Sequence, residues 1–277
     1  MKPQAGLYIV STPIGNMGDI TYRALELLRN SDYIFSEDTR VTKKILEKHN
    51  IDIKLSVYND HSDQKTRDYI KSLINQEKVV SLVSDAGTPL ISDPGYKLVR
   101  ELQDENYFVD TAPGVSSVIN ALVLSGLATD RFLFNGFIPK TIPGKEKTFS
   151  ELITLKATLI FFETAIRLIP SLKVAKEILG DREATVAREL TKMYQTIKRD
   201  KISNLINFFE RYPARGEIVL LISGESNPDD ASLTLDEEIT TLLSSGMSTK
   251  DISTSLNQKY PHINKKIIYN MAKNMSN

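Results

Sequence analysis

The stretch from Ser84 to Gly95, SDAGTPLISDPG, sets two aspartates among glycine and proline directly behind the apolar run VVSLV. A carboxylate that follows a buried strand must cap backbone amides, pair with a cation or accept hydroxyl hydrogen bonds such as those of a ribose. Asp85 therefore suits a cationic or ribose-bearing ligand. Asp93, in DPG, fits a helix start, where Asp caps and Pro takes the first turn. In STPIGN, Pro13 and Gly15 bend the chain tightly enough for backbone to approach a ligand, a plain strand-to-helix turn being the alternative. The cluster SEDTR reads as a capped helix start in which Glu37, Asp38 and Arg40 form a salt-bridge set. His61 stands beside Asp60 in YNDHSD and reads as a turn residue, while His49 and His262 lie in polar, solvated surroundings. G-x-G-x-x-G and the P-loop pattern are both missing, so the ligand is not held by its phosphates, and no His, Asp and Glu spacing resembles a metal site.

These loops need strands to position them. Strand candidates are Leu7–Val10, Tyr33–Phe35, Lys54–Tyr58, Val79–Val83, Tyr107–Thr111, Arg131–Phe137, Thr158–Phe162, Ala184–Leu190, Tyr194–Lys198 and Glu217–Ser223. Helical patterns lie between them, such as ITYRALELLRN and VSSVINALVLSGL, the latter with Ser116 or Ser117 at its start. Alternation of this kind implies crossover connections, a largely parallel sheet and the α/β class, and the loops beyond the strand ends are where ligands sit. Ten strands are many for one sheet, which divides the chain into α/β domains at residues 1–115 and 116–226. After Gly224 the polar run ESNPDDASLTLDEE leads to a helical tail, 232–277. It reads as two short helices capped by Ser248 and Asn264, with Pro261 in the turn between them.

Composition narrows the classes. With 277 residues, 41% hydrophobic, and 35 Lys plus Arg against 35 Asp plus Glu, the chain can build sizeable cores and has no net charge, unlike a strongly basic nucleic-acid binder. The lack of cysteine excludes disulfides, thiolate metal sites and a cysteine nucleophile, and fits a reducing cytoplasm. No apolar run is long enough to span a membrane, so a soluble, cytoplasmic protein is expected.

Taken together and in order, LYIVSTPIGN, SEDTR, VSDAGTPLISDPGYKLVR, PGVSSVINAL, DRFLFNGFIP, FFETAIR and ARELTK resemble the tetrapyrrole methylase-like, class III S-adenosylmethionine-dependent methyltransferases, in the branch acting on small-subunit ribosomal RNA. The resemblance covers nearly the whole chain, and its specificity lies in the number of motifs. It implies two α/β domains with S-adenosylmethionine in the cleft between them. The implied activity is transfer of its methyl group to the ribose 2′-hydroxyl of a cytidine in the decoding region of 16S rRNA. Carried over by position, the cofactor would be lined by Pro13, Ile14, Gly15 and Asn16, by Asp85, Ala86, Gly87 and Thr88, by Ser116 and Ser117, and by Phe162 and Leu190. Where corrin-methylating relatives show G-D-P this chain has Ser84, Asp85 and Ala86, which argues against a tetrapyrrole substrate.

A 2′-hydroxyl is a poor nucleophile, so a base or an alkoxide-stabilising cation should stand nearby, with Lys192, Glu37, Asp38 and Arg40 as candidates. Lys192 as a surface lysine, and Arg188 with Glu189 as a plain ion pair, are the structural alternatives. RNA phosphates would be met by Lys140, Lys145 and Lys147 in a mobile flap, GFIPKTIPGKEK, and by the tail lysines, among them Lys265 and Lys266. The helix pair could instead pack on a partner subunit, because the resemblance also implies a homodimer. Two rivals remain at this point: another methyltransferase of the same fold, acting on a corrin or a protein, and a helix-turn-helix regulator whose α/β part senses a metabolite.

Overall fold

The computed structural model describes residues 3–225, 230–260 and 263–276. Its first half alternates β1 (Gly6–Val10), α1 (Tyr22–Asn30), β2 (Tyr33–Ser36), α2 (Thr39–Lys48), β3 (Lys54–Val57), α3 (Gln64–Asn75), β4 (Val79–Val83), α4 (Tyr96–Asp104) and β5 (Val109–Ala112). The strands form a fully parallel sheet in the order β3-β2-β4-β1-β5. Every residue of β1 and β4 is buried, as befits strands covered on both faces. Tyr8 and Val10 point to the face packed by α1 and α2; Leu7 and Ile9 point to the face packed by α3 and α4. The chain leaves β1 toward β2 and leaves β4 toward β5, on opposite sides. α1, which follows β1, and α4, which follows β4, pack on opposite faces of the sheet, so the chain parts at these carboxyl ends, and the crevice there is the natural ligand site.

The second half comprises α5 (Ser117–Ser125), β6 (Phe132–Phe137), α6 (Ile142–Leu152), β7 (Thr158–Thr164), α7 (Leu168–Leu179), β8 (Glu183–Arg188), β9 (Thr196–Lys201), α8 (Ile202–Arg211) and β10 (Glu217–Ile222). Its sheet, β6-β7-β10-β8-β9, is parallel only between β6 and β7; the other pairings are antiparallel. The expected largely parallel arrangement thus holds for the first sheet and not for this one. The link from Arg188 to Thr196 is too short for a crossover, which needs a dozen or more residues, so β8 and β9 must form a hairpin. β10 then inserts antiparallel between β7 and β8.

Helices α6, α7 and α8 cover one face of this sheet around Phe149, Phe161, Leu172 and Leu205, and α5 covers the other. Burial of each such side chain contributes about 1.5–3 kcal/mol. Ile14, from the loop after β1, joins the α5 cluster with Ala187, Leu190 and Val219, and so ties the halves together.

The tail holds one helix more than its sequence suggests. α9 (Asp230–Ser244), α10 (Thr249–Lys259) and α11 (Lys265–Met275) pack on one another around Leu235, Ile239, Ile252, Leu256 and Ile268. Ser248 and Asn264 cap α10 and α11 as expected, accepting from the amides of Asp251 and Lys266. Pro261 and His262 lie outside the described residues. No helix among the described residues is long and apolar enough to cross a membrane.

Candidate active site

The loops after β1 and β4 are stitched together. Thr12 and Gly87 exchange backbone hydrogen bonds of 2.8 and 3.0 Å. The Thr12 hydroxyl donates to the Ser84 carbonyl at 3.2 Å, the Ser11 and Thr88 hydroxyls meet at 3.1 Å, and Thr88 donates onward to the Val115 carbonyl at 3.1 Å. Gly87 sits at φ +82°, and a Cβ there would lie 3.3 Å from Ile14, so glycine is what lets the loops approach.

Above this stitch a cleft of about 320 Å³ runs between the two halves. One wall is Ile14, Ala86, Gly87, Thr88, Ile91 and Asp93; the other is Ser116 to Val118, Phe137, Phe162 to Thr164, Ala187, Leu190 and Gly216 to Val219. Most of this lining is apolar, and its polar groups include Glu163, Glu217, the start of α5 and Asp93. Ser116 begins α5 without a side-chain cap, which leaves first-turn amides and the positive helix end at the cleft, a setting for a carboxylate. Asp93 faces it from the opposite wall. Phe162 is flanked by Phe134 and Phe137 at ring-centroid distances of 4.8 and 5.3 Å, giving an aromatic side to the cleft.

The electrostatics of the first wall are acidic. Burial and then Asp85, Asp93, Asp60 and Asp38 push Glu37 above the usual carboxylate range. Burial raises Asp93 as well, reinforced by Asp85 and Asp60 and opposed by a Ser84 hydrogen bond. Asp38 goes the other way, to about 2, because Arg40 hydrogen-bonds it through side chain and backbone. On the second wall, burial lowers the Lys192 ammonium pKa but hydrogen bonds from Nζ to Glu217 at 2.9 Å and Glu189 at 3.0 Å outweigh it, so the net shift is upward. Lys192 is firmly protonated and is a cation here, not a base.

Of the residues the sequence singles out, Ile14, Ala86, Gly87, Thr88, Ser116, Ser117, Phe162 and Leu190 line the cleft. Pro13, Gly15, Asn16 and Asp85 lie outside that lining. Gly15 underlies the Lys192 side chain, which a Cβ would strike, and the Asn16 amide donates to the Thr191 hydroxyl at 3.1 Å. The Asp85 carboxylate accepts from the Asp38 amide at 3.0 Å, so it braces the SEDTR loop. Glu37 and Asp38 are thereby brought beside Asp85; the Arg40 side chain stays 87% exposed, paired to Asp38.

Asp93 was the residue that sequence misassigned. α4 starts at Tyr96 after Gly95 at φ +130°, with no side-chain cap, so Asp93 lies upstream of the helix and turns into the cleft. A second carboxylate in one breaker-rich loop was its only signal. Glu163 was missed too: wholly buried at the cleft wall, it accepts from Ser171, from the Thr164 amide at 2.8 Å and from Arg167 at 2.7 Å.

The lysine flap also needs correction. GFIPKTIPGKEK is not a loop throughout, because Thr141 caps α6, accepting from the Gly144 amide, and Pro143 falls in its first turn. Lys145 is only 1% exposed, with its ammonium pKa lowered by burial, so it offers no charge to a polyanion. Lys140 and Lys147 remain exposed, Lys147 near Glu151 at 4.0 Å, as do Lys265 and Lys266. His49, expected in solvent, is the half-buried end of α2. No cluster among the described residues could hold a metal ion.

A parallel sheet and a mixed sheet sharing a cleft at their strand ends define a methylase fold, and the chain belongs to the Tetrapyrrole (Corrin/Porphyrin) Methylases, which it matches over residues 6–206. Within that family it is similar to proteins named ribosomal RNA small subunit methyltransferase I. That of Rickettsia prowazekii is 56% identical over 270 residues, spanning 97% of this chain and 96% of its own. That of Thermotoga maritima is 42% identical over 219 residues, spanning 79% of this chain and 98% of its own. Among solved structures, a cobalt precorrin-4 methyltransferase matches with TM-score 0.60 and 18% identity, over 78% of this chain and 94% of its own. A diphthine synthase matches with TM-score 0.61 and 14% identity, over 78% and 89%. At these identities the two share the fold.

Proposed function

We propose that the chain transfers a methyl group from S-adenosylmethionine to the ribose 2′-hydroxyl of a cytidine in 16S rRNA of the small ribosomal subunit, acting in the cytoplasm as a homodimer. The observation that carries the reading is the cleft itself, largely apolar and built without a phosphate cradle, with an uncapped helix start on one wall and the Asp93 carboxylate on the other. The residues present fit the donor. The α5 start would hold its carboxylate, Ile14, Ala187, Leu190 and Val219 its adenine, and Asp93 its ribose hydroxyls or amine. When bound, it supplies an electrophilic methyl group on a positively charged sulfur. The names and near-complete overlap of the relatives support the RNA substrate.

In this reading the chain's own residues place the hydroxyl in line, exclude water and take a proton. Placement alone accounts for much of such an acceleration. Ile91 and Phe137, both partly exposed apolar side chains of the lining, shed water when substrate covers them. Glu37 is the base: its raised pKa brings it nearer the pH at which a general base is most effective, and Asp85 holds its loop. Lys192, Arg40, Lys140, Lys147, Lys265 and Lys266 meet phosphates. A second copy of the chain covers the outward side of α5, where Ile119, Val123 and Leu124 are exposed.

The test is incubation of the protein with labelled S-adenosylmethionine and small ribosomal subunits lacking the modification, followed by mapping of the methylated nucleotide. Label at one cytidine ribose is the expected outcome. Label in a tetrapyrrole added to the same mixture, with none in rRNA, overturns the reading, and a monomeric mass by light scattering overturns the dimer.

A further inference from the structure

Past Asp93 lies a second, smaller cavity of about 200 Å³. Its walls are Tyr58, Asn59, Asp60 and Ser62 from the turn after β3, together with Arg67 and the start of α4 from Pro94 to Lys97; Asp93 lines both chambers. Tyr58 is 4% exposed and stands in the wall, while Tyr96, at the same cavity, is 64% exposed.

Two polar groups here are unspent. Among the described residues the Asp60 carboxylate has neither a hydrogen bond nor an ion pair, and it is not one of the groups with a further partner. The Asn59 amide uses only its oxygen, which accepts from the His61 amide at 3.0 Å, so its NH₂ is free to donate. The nearby guanidinium does not neutralise Asp60, because Arg67 is engaged by Glu101 at 2.8 Å and by Gln64.

Asp60 and Asp93 stand against Arg67, which is already engaged, and the exposed Lys97, so the chamber holds no surplus of positive charge to draw a phosphate inward, and the part of an RNA that suits it is a base. An acceptor carboxylate beside a donor amide complements an edge on which an amino group adjoins a ring nitrogen. On the Watson–Crick edge cytosine and adenine offer an amino group beside an unprotonated ring nitrogen, whereas uracil has no amino group and the guanine ring nitrogen beside its amino group carries a proton and cannot accept from Asn59. Unpaired RNA bases are read in this manner, splayed out, stacked on an aromatic ring and hydrogen-bonded on the Watson–Crick edge.

We infer that this cavity receives the unpaired target base, Asp60 accepting from its exocyclic amino group, Asn59 donating to its ring nitrogen and Tyr96 stacking on its face, which leaves the attached ribose at Asp93. The inference rests on the reading that the chain methylates a ribose of small-subunit RNA, for which cytosine is the base.

The experiment compares the wild type with Asp60→Asn and Tyr96→Ala on small subunits reconstituted with cytidine or uridine at the mapped position, with S-adenosylmethionine affinity measured by calorimetry. Asp60→Asn should lower kcat/KM on cytidine by about 10- to 100-fold, the worth of one good base-edge contact. It should also narrow the cytidine-to-uridine ratio, because an amide can donate to a carbonyl. Tyr96→Ala should raise KM for the subunit. Neither residue lines the main cleft, so cofactor affinity should stay unchanged, which also controls for folding. A wild type that modifies subunits but ignores the base, or variants that keep both KM and the ratio, overturn the base cavity alone. A wild type that puts no label into subunits overturns the functional reading, and this inference with it.

Discussion

Glu37 stands among Asp38, Asp60, Asp85 and Asp93, and that crowding sets both its chemistry and its cost. Between the usual carboxylate range and its raised value, the folded chain keeps a proton that the unfolded chain has lost, so stability falls as pH rises through that window. Glu37→Gln should therefore melt above the wild type at neutral pH and level with it below the usual carboxylate range, where both side chains are neutral. As the proposed base, its loss should lower turnover by about 10²–10⁴-fold with cofactor affinity intact. Under the same proposal wild-type turnover should climb with pH through the Glu37 titration, and a flat profile there would remove Glu37 from the role. Asp85→Asn should slow turnover while leaving cofactor affinity nearly unchanged, because its carboxylate holds the Asp38 amide outside the cleft; a large loss of affinity would return Asp85 to the cofactor. Asp85 was legible as special because a carboxylate behind a buried strand needs a partner. Which partner was not legible, since a neighbouring loop amide and a ligand satisfy that need equally well. Asp93 was hidden by a local motif that explains it too easily.

At the scale of elements, loop 84–95 carries unusual backbone: Gly87, Leu90 and Ser92 have φ of +82°, +73° and +65°. Gly87→Ala adds a left-handed penalty of about 1–2 kcal/mol to a close approach on Ile14. It should lower the melting temperature and weaken cofactor binding together, since Thr12 and Gly87 join the loops under the cleft. Ser92→Gly relieves a similar penalty less the extra chain entropy of glycine, about 0.5–1 kcal/mol, and should be neutral to stabilising by up to about 1.5 kcal/mol. Melting curves of the pair check the sign at each position. The ten strand positions were readable from apolar runs, with ends displaced by a few residues at most, as at β8, where Glu189 at φ +51° stops the strand two residues short of Leu190. Strand order in the second sheet was not readable, because alternation with helices fits both a parallel sheet and one into which β10 inserts. Link length carried the missing information at β8 and β9.

For the whole molecule, zero net charge hides a separation of charge at its end. α9 bears Asp236, Glu237 and Glu238, whereas α10 and α11 bear Lys250, Lys259, Lys265, Lys266 and Lys273. Of these, Lys259 is spent on Glu238, while Lys265 and Lys266 are exposed in the first turn of α11. The three helices have a core of their own. Under the proposed function the cleft between the two sheets holds the cofactor, and the helical unit adds grip on the substrate. Ending the chain after Glu225 should therefore leave calorimetric affinity for S-adenosylmethionine and the melting of the α/β body unchanged, while KM for the small subunit rises. Because each lysine that neutralises a phosphate contributes about 0.7–0.9 to the slope of log affinity against log salt, Lys265→Ala with Lys266→Ala should flatten that slope by about 1.4–1.8. An unchanged slope in the double variant would mean that α11 meets something other than RNA phosphates, and a loss of cofactor affinity on truncation would mean that the tail braces the cleft.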